Sequence, residues 1–122
     1  MLARWWGDLI LRGPAEWELL HELHAHATDA IIGKTRYSAF FAAELDNLLR
    51  KAGVADLIII GVLTNCCCET TAPDAFVRDY RVFFVRDATA TATEDLHVPF
   101  LKNLPFGFAY IVSTEDLLTK MM

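Results

Sequence analysis

An uninterrupted apolar run, Leu57-Ile58-Ile59-Ile60, is followed by Gly61 and then by three consecutive cysteines, Cys66, Cys67 and Cys68. No other stretch constrains the chain as much. Four aliphatic residues in a row leave no polar face, so the run predicts a strand buried on both sides. Gly61 ends it, and Thr64 or Asn65 then caps a helix whose first turn carries the cysteines. A thiol at a helix N-terminus, just past the C-terminal end of a strand, sits where the helix dipole favours a thiolate. Open α/β sheets place their chemistry at that edge. The same three residues also read as small buried apolar side chains, and local sequence alone leans to packing.

The rest of the chain alternates. Residues 1–14 form an irregular lead-in holding Trp5, Trp6, Gly13 and Pro14. Residues 15–25 predict a short helix with Trp17, Leu20 and Leu23 or His24 on one face. Asp29 to Gly33 predicts a short strand, and residues 40–52 an amphipathic helix with Phe41, Leu45, Leu48 and Leu49 as its stripe, stopped by Gly53. The 56–62 strand and a 65–79 helix follow. Pro73 inside that helix removes a hydrogen bond and predicts a kink or a very short first segment. Arg81 to Arg86 predicts another buried strand, 87–93 a loop, 94–104 a helix closed by Pro105, and 107–112 a last strand. Ser113-Thr114-Glu115-Asp116 then opens a terminal helix in capping-box fashion. Such β-α alternation predicts a parallel sheet with helices on both faces. Right-handed crossovers put every strand's C-terminal end on one edge, so Lys34 and Cys67 can meet there.

The stretch Gly61-Val62-x-Thr64-Asn65-x-Cys67-x-x-x-Thr71-Ala72-x-Asp74-Ala75 resembles the nucleophile segment of the isochorismatase-like cysteine hydrolases. Upstream, Gly33-Lys34-Thr35-Arg36-Tyr37-Ser38-Ala39-Phe40-Phe41 is similar to that family's lysine segment. Asp87-Ala88 and Glu94-x-x-His97 also fit, and the resemblance runs from about Trp6 to the end. It implies one domain over residues 1–122: a three-layer, doubly wound α/β fold of the isochorismatase-like type, lacking its first strand. That strand carries the family's catalytic aspartate, which has no match here. Asp8 lies in a segment that does not read as the family's Val-Ile-Asp strand, and Asp87 resembles a turn-forming element. Where family members often have Gly-Thr, this chain has Ala42-Ala43, so the start of the following helix is expected to be less well capped.

The resemblance also implies the chemistry. Cys67 stands at the nucleophile position, and only one of three consecutive helical residues, about 100° apart, can face a given pocket. Lys34 lowers the thiolate's pKa and orients it. Backbone N–H groups of Leu63 and Cys67 form the oxyanion hole, with a cis peptide between Val62 and Leu63. The expected activity is hydrolysis of a C–N bond in a small amide or ureide through a thioester. A cysteine at this position argues against isochorismate hydrolysis. The alternative is a truncated, silent member acting as an oligomerisation or binding partner. Trp6, Tyr37 and Phe40 are expected at the pocket wall, and Glu94 and His97 in structural roles.

Composition narrows the partners. At 122 residues the chain is one domain at most. Its 54% apolar content is high for such a length and predicts surface that needs a partner, either a missing piece of the same fold or another subunit of a homo-oligomer. A net charge of −5 without a basic cluster argues against nucleic acid, and no run has the length of a membrane span. The N-terminus lacks the pattern of a signal peptide. Three adjacent cysteines make no disulfide framework, so a reducing, cytoplasmic setting is expected. His21, His24 and His26 have no fourth ligand at a known spacing, so neither a metal nor any other cofactor is expected.

Overall fold

The computed structural model describes residues 1–7, 13 and 17–121. It divides into two compact units, Met1–Ile31 and Ile32–Met122. The first holds a short helix, α1 (Leu2–Trp6), and a 3-10 turn at His21–Leu23. Where the sequence predicts a helix over 15–25, the described residues hold that turn and a 3-10 position at Trp17. The turn ends at His24, whose φ of 48° is left-handed and closes a right-handed helix. Asp29 ties the next turn, its Oδ2 accepting the His26 N–H at 2.8 Å. Asp8 and Pro14 lie outside the described residues.

The second unit is built on three parallel strands in the order β1-β2-β3: β1 (Asp56–Val62), β2 (Arg81–Ala90) and β3 (Tyr110–Val112). Helices fall between them as the alternating pattern requires: α3 (Glu69–Phe76) and α4 (Glu94–Asn103), with α2 (Leu45–Lys51) before and α5 (Thr114–Met121) after. The expected α/β architecture is present. The register is marked at its start by Asp56 and Arg81, paired across β1 and β2 and joined by two hydrogen bonds of 2.6 and 2.5 Å. The core lies where the helices meet one face of the sheet. Phe84 and Leu104 are fully buried there with Val82, Ala72 and Ala75, and Leu57 and Ile59 of β1 pack against them. Phe84 and Phe100 meet edge to face at 5.5 Å.

Several expectations need correcting. β1 is not buried on both faces. Leu57 and Ile59 turn inward while Ile58, Ile60 and Val62 are exposed, because in the described sheet β1 is an edge strand packed on one side. Residues 29–33 join no ladder, and a strand exists only with a partner for its backbone groups. β2 runs on to Ala90, past a register shift opposite Ile59 to Gly61, so Asp87 to Ala90 belong to the strand rather than to a loop. α2 begins at Leu45 rather than at 40 because Ala42 has φ 47°, which a right-handed helix cannot contain. Its end matches expectation: Gly53, at φ 68°, lets its own N–H reach Arg50 O and the Val54 N–H reach Leu49 O, a Schellman closure. At α5 the Ser113 hydroxyl accepts the Asp116 N–H at 3.0 Å while Asp116 Oδ2 accepts the Ser113 N–H at 3.0 Å, the reciprocal box expected from the sequence.

Candidate functional site

β1 ends at Val62, and the peptide bond from Val62 to Leu63 is cis. The chain then enters a single π turn, Thr64–Cys68, before continuing as α3. The departure from α geometry therefore falls on the cysteines, while α3 passes through Pro73 without ending. The Leu63 carbonyl gathers the turn by accepting the N–H of Cys66 at 3.2 Å and of Cys68 at 3.1 Å. Neither Thr64 nor Asn65 caps it. Thr64, fully buried, shares a hydrogen bond with His97 Nδ1 at 2.8 Å, and Asn65 Oδ1 accepts the Thr91 hydroxyl at 2.5 Å. The turn is thus held from α4 and from the segment after β2.

The three thiols differ. Cys68 points into the core, and burial above all pushes its thiol up to about 11, with Lys34 partly opposing. Burial, then the neighbouring Cys67, raises Cys66 as well. Cys67 is half-buried, and its Sγ lies 3.2 Å from Lys34 Nζ. The two residues come from segments 33 positions apart in sequence. Lys34 Nζ also donates to the Arg36 carbonyl at 3.1 Å.

A thiol in contact with an ammonium, on the turn that leaves the C-terminal end of a parallel strand, is what the lysine and cysteine motifs together imply. The model of the isochorismatase domain matches residues 2–116. The chain belongs to the isochorismatase family. Among its relatives, nicotinamidase 3 of Arabidopsis thaliana is 48% identical over 120 residues, 96% of this chain and 61% of that protein. The ureidoacrylate amidohydrolase RutB of Caulobacter segnis is 37% identical over 111 residues, 90% of this chain and 46% of that one. In structure the chain is similar to an isochorismatase-like hydrolase from Alkaliphilus metalliredigens, with a TM-score of 0.89 at 28% identity over 93% of this chain and 63% of that one. The chain thus spans about half to three fifths of the length of these relatives.

The other expected residues of this isochorismatase-family site fall in several places. Phe40 is 5% exposed, tilted against Tyr80 and covered by the Arg78 guanidinium, so it belongs to the core. Tyr37 is half-buried in the lysine segment, and Trp6 stands exposed at the end of α1 in the first unit. Asp87 Oδ1 accepts the Thr114 N–H at 2.9 Å, and that bond first of all holds its carboxyl below the usual range. His97, expected in a structural role, holds the cysteine turn through Thr64. Among the described residues no three His, Cys, Asp or Glu side chains gather as a metal site. A groove of about 740 Å³ is lined by Phe76, Arg81, Phe108 and Tyr110 among others. Arg81 and Tyr110 begin β2 and β3, so it opens at the opposite edge of the sheet from the thiol.

Sequence reasoning missed the bonds that join the two motifs. The Ser38 hydroxyl donates to Asp74 Oδ2 at 2.5 Å, and the Ala39 N–H donates to Thr71 Oγ1 at 3.1 Å. Both partners sit on α3. The signal was available: Ser38, Thr71 and Asp74 are polar residues inside the two motifs, at positions where a surface role alone does not require them.

Proposed function

We propose that the chain is a cysteine hydrolase that cleaves a C–N bond in a small amide or ureide, with Cys67 as nucleophile and Lys34 as its ionic partner. The observation that carries this reading is the 3.2 Å approach of Lys34 Nζ to Cys67 Sγ. The names of the relatives, a nicotinamidase and a ureidoacrylate amidohydrolase, support the amide or ureide class. The Cys67 thiolate attacks the carbonyl carbon, and the resulting oxyanion takes hydrogen bonds from the backbone N–H groups of Leu63 and Cys67. As the C–N bond breaks, the Lys34 ammonium gives its proton to the leaving nitrogen, and ammonia or an amine departs from the thioester. Water then hydrolyses the thioester to the acid and the thiol. The thiol proton returns to Lys34, restoring the pair. Tyr37 remains our choice for the pocket wall. Phe40 is not, because the core already occupies its ring.

A second reading, a family member that binds without turnover, is favoured by one observation. Among the described residues Lys34 forms no ion pair with a carboxylate, so none of these supplies an acid to relay its proton. The free thiols support a reducing, cytoplasmic setting, and the exposed Ile58, Ile60 and Val62 support a homo-oligomer. The test is ammonia release from a panel of primary amides and ureides by the purified chain and by Cys67→Ala, with intact-mass detection of an acyl adduct. Release by the parent and none by the variant is the expected result. An acyl adduct that never turns over supports the second reading. Release that survives Cys67→Ala overturns the first.

A further inference from the structure

We propose that Ser38 and Asp74 are positioning residues, a clamp between the lysine segment and α3 that holds Lys34 against Cys67. The proposal rests on the reading of Lys34 and Cys67 as the working pair.

Lys34 needs such a device. Residues 30–37 join no strand or helix, so no ladder fixes their backbone. Within the segment Lys34 Nζ donates to the Arg36 carbonyl, and the Arg36 guanidinium to the Thr35 carbonyl at 2.7 Å. An exposed lysine with four rotatable bonds loses much rotamer entropy when its ammonium is kept at one place. Its contact with the thiol therefore depends on where the backbone is anchored.

An anchor lies at 38–40, and its hydrogen bonds come from one face of α3. Thr71, Asp74 and Arg78 are three and four residues apart, a helical stripe. Thr71 takes the Ala39 N–H, Asp74 takes the Ser38 hydroxyl, and the Arg78 guanidinium lies 5.1 Å over the Phe40 ring. Arg78 also pairs with Asp74, which orients the carboxylate toward Ser38. The Ser38 hydroxyl meanwhile accepts the Phe40 N–H at 3.1 Å, so its one proton and one of its lone pairs are both committed. The same α3 begins where the cysteine turn ends. The turn that carries the thiol thus runs directly into the helix that anchors the lysine segment. Lys34 and Cys67 are then placed relative to each other by α3 rather than by the sheet.

The test follows Cys67 itself and needs no substrate. Iodoacetamide labelling of the full chain is timed across pH 6 to 10 and mapped by mass spectrometry for Ser38→Ala, Asp74→Ala, Ser38→Thr, Lys34→Met and Lys34→Met with Ser38→Ala, each with a thermal melt. Lys34→Met and Ser38→Ala are each expected to slow Cys67 labelling near pH 7 by about tenfold and to change its rate profile across pH in the same way. Ser38→Thr, which keeps the hydroxyl, restores the parental profile. Ser38→Ala adds nothing once Lys34 is gone. If Asp74→Ala does not fold, Ser38→Ala and its rescue decide alone. A lower melting temperature with an unmoved Cys67 profile overturns the clamp, as does an additive double variant. The hydrolase reading separates cleanly. A moved profile in a parent that releases no ammonia upholds the clamp and sinks the hydrolase. Ammonia release by a parent whose Cys67 profile Ser38→Ala leaves unmoved does the reverse.

Discussion

Thr64 Oγ1 and His97 Nδ1 lie 2.8 Å apart, and Thr64 has no exposed surface. The bond ties α4 to the turn that carries Cys67, across 33 residues of sequence. Removing one partner strands a buried polar atom, which costs about 1–3 kcal/mol. His97→Ala is expected to lower stability to urea by that amount. Thr64→Ser, which keeps the hydroxyl and loses a methyl group, should cost about 1 kcal/mol. Equilibrium unfolding of the two variants checks the order, and an His97→Ala chain as stable as the parent contradicts it.

The three adjacent thiols are expected to react in a fixed order. Cys67 touches Lys34, Cys66 is raised by burial, and Cys68 is buried in the core and raised to about 11. Mass mapping of partial alkylation near neutral pH should find Cys67 first and Cys68 last. Preference for Cys68, or equal labelling of all three, rules the assignment out.

Cys68 also sets a pH dependence. Its thiol rises from the ordinary 9.0 to about 11 in the folded chain. Between those values the unfolded chain has lost the proton and the folded chain has kept it, so stability falls as pH rises. Below about pH 9 the contribution is fully present. Urea midpoints taken from pH 8 to 11 should decline in the parent and decline less steeply in Cys68→Ala. Parallel slopes would refute the link.

Ala42 sits at φ 47°. A left-handed residue with a Cβ costs roughly 1–2 kcal/mol, while glycine costs about 0.5–1 kcal/mol in lost chain entropy. The first term is the larger. Ala42→Gly is therefore expected to stabilise the chain by about 0.5–1 kcal/mol, read as a rise in the urea midpoint at unchanged slope. A fall in the midpoint counts against the strain.

Phe84 is fully buried and meets Phe100 edge to face. Phe84→Ala should cost about 3–5 kcal/mol, from the lost transfer energy and the cavity left behind. Unfolding by urea measures it, and a loss below about 1 kcal/mol would show that the core collapses around the gap.

Some of this protein was determined by sequence alone. The Ile58–Ile60 run, the glycine stop at Gly53 and the Ser113–Asp116 box are local, set by side-chain periodicity, backbone freedom and hydrogen bonds that span three to five residues. The position of β1, the closure of α2 and the start of α5 could be read for that reason. The pairing of Lys34 with Cys67 was legible only as two motifs expected to meet; the strand expected before Lys34 does not form, yet the contact is made at 3.2 Å. Tertiary structure decided the rest. Residues 29–33 have strand composition and no ladder, because a strand needs a neighbour and composition does not supply one. Ile58 and Ile60 are as apolar as Leu57 and Ile59, yet only the latter pair is covered, since burial depends on what packs against each face. Three cysteines identical in sequence became three different thiols through burial and one ammonium. The bonds Ser38–Asp74 and Thr64–His97 join residues more than 30 positions apart, and no local rule connects them; they exist because the fold closes those distances and a polar group left dry must find a partner.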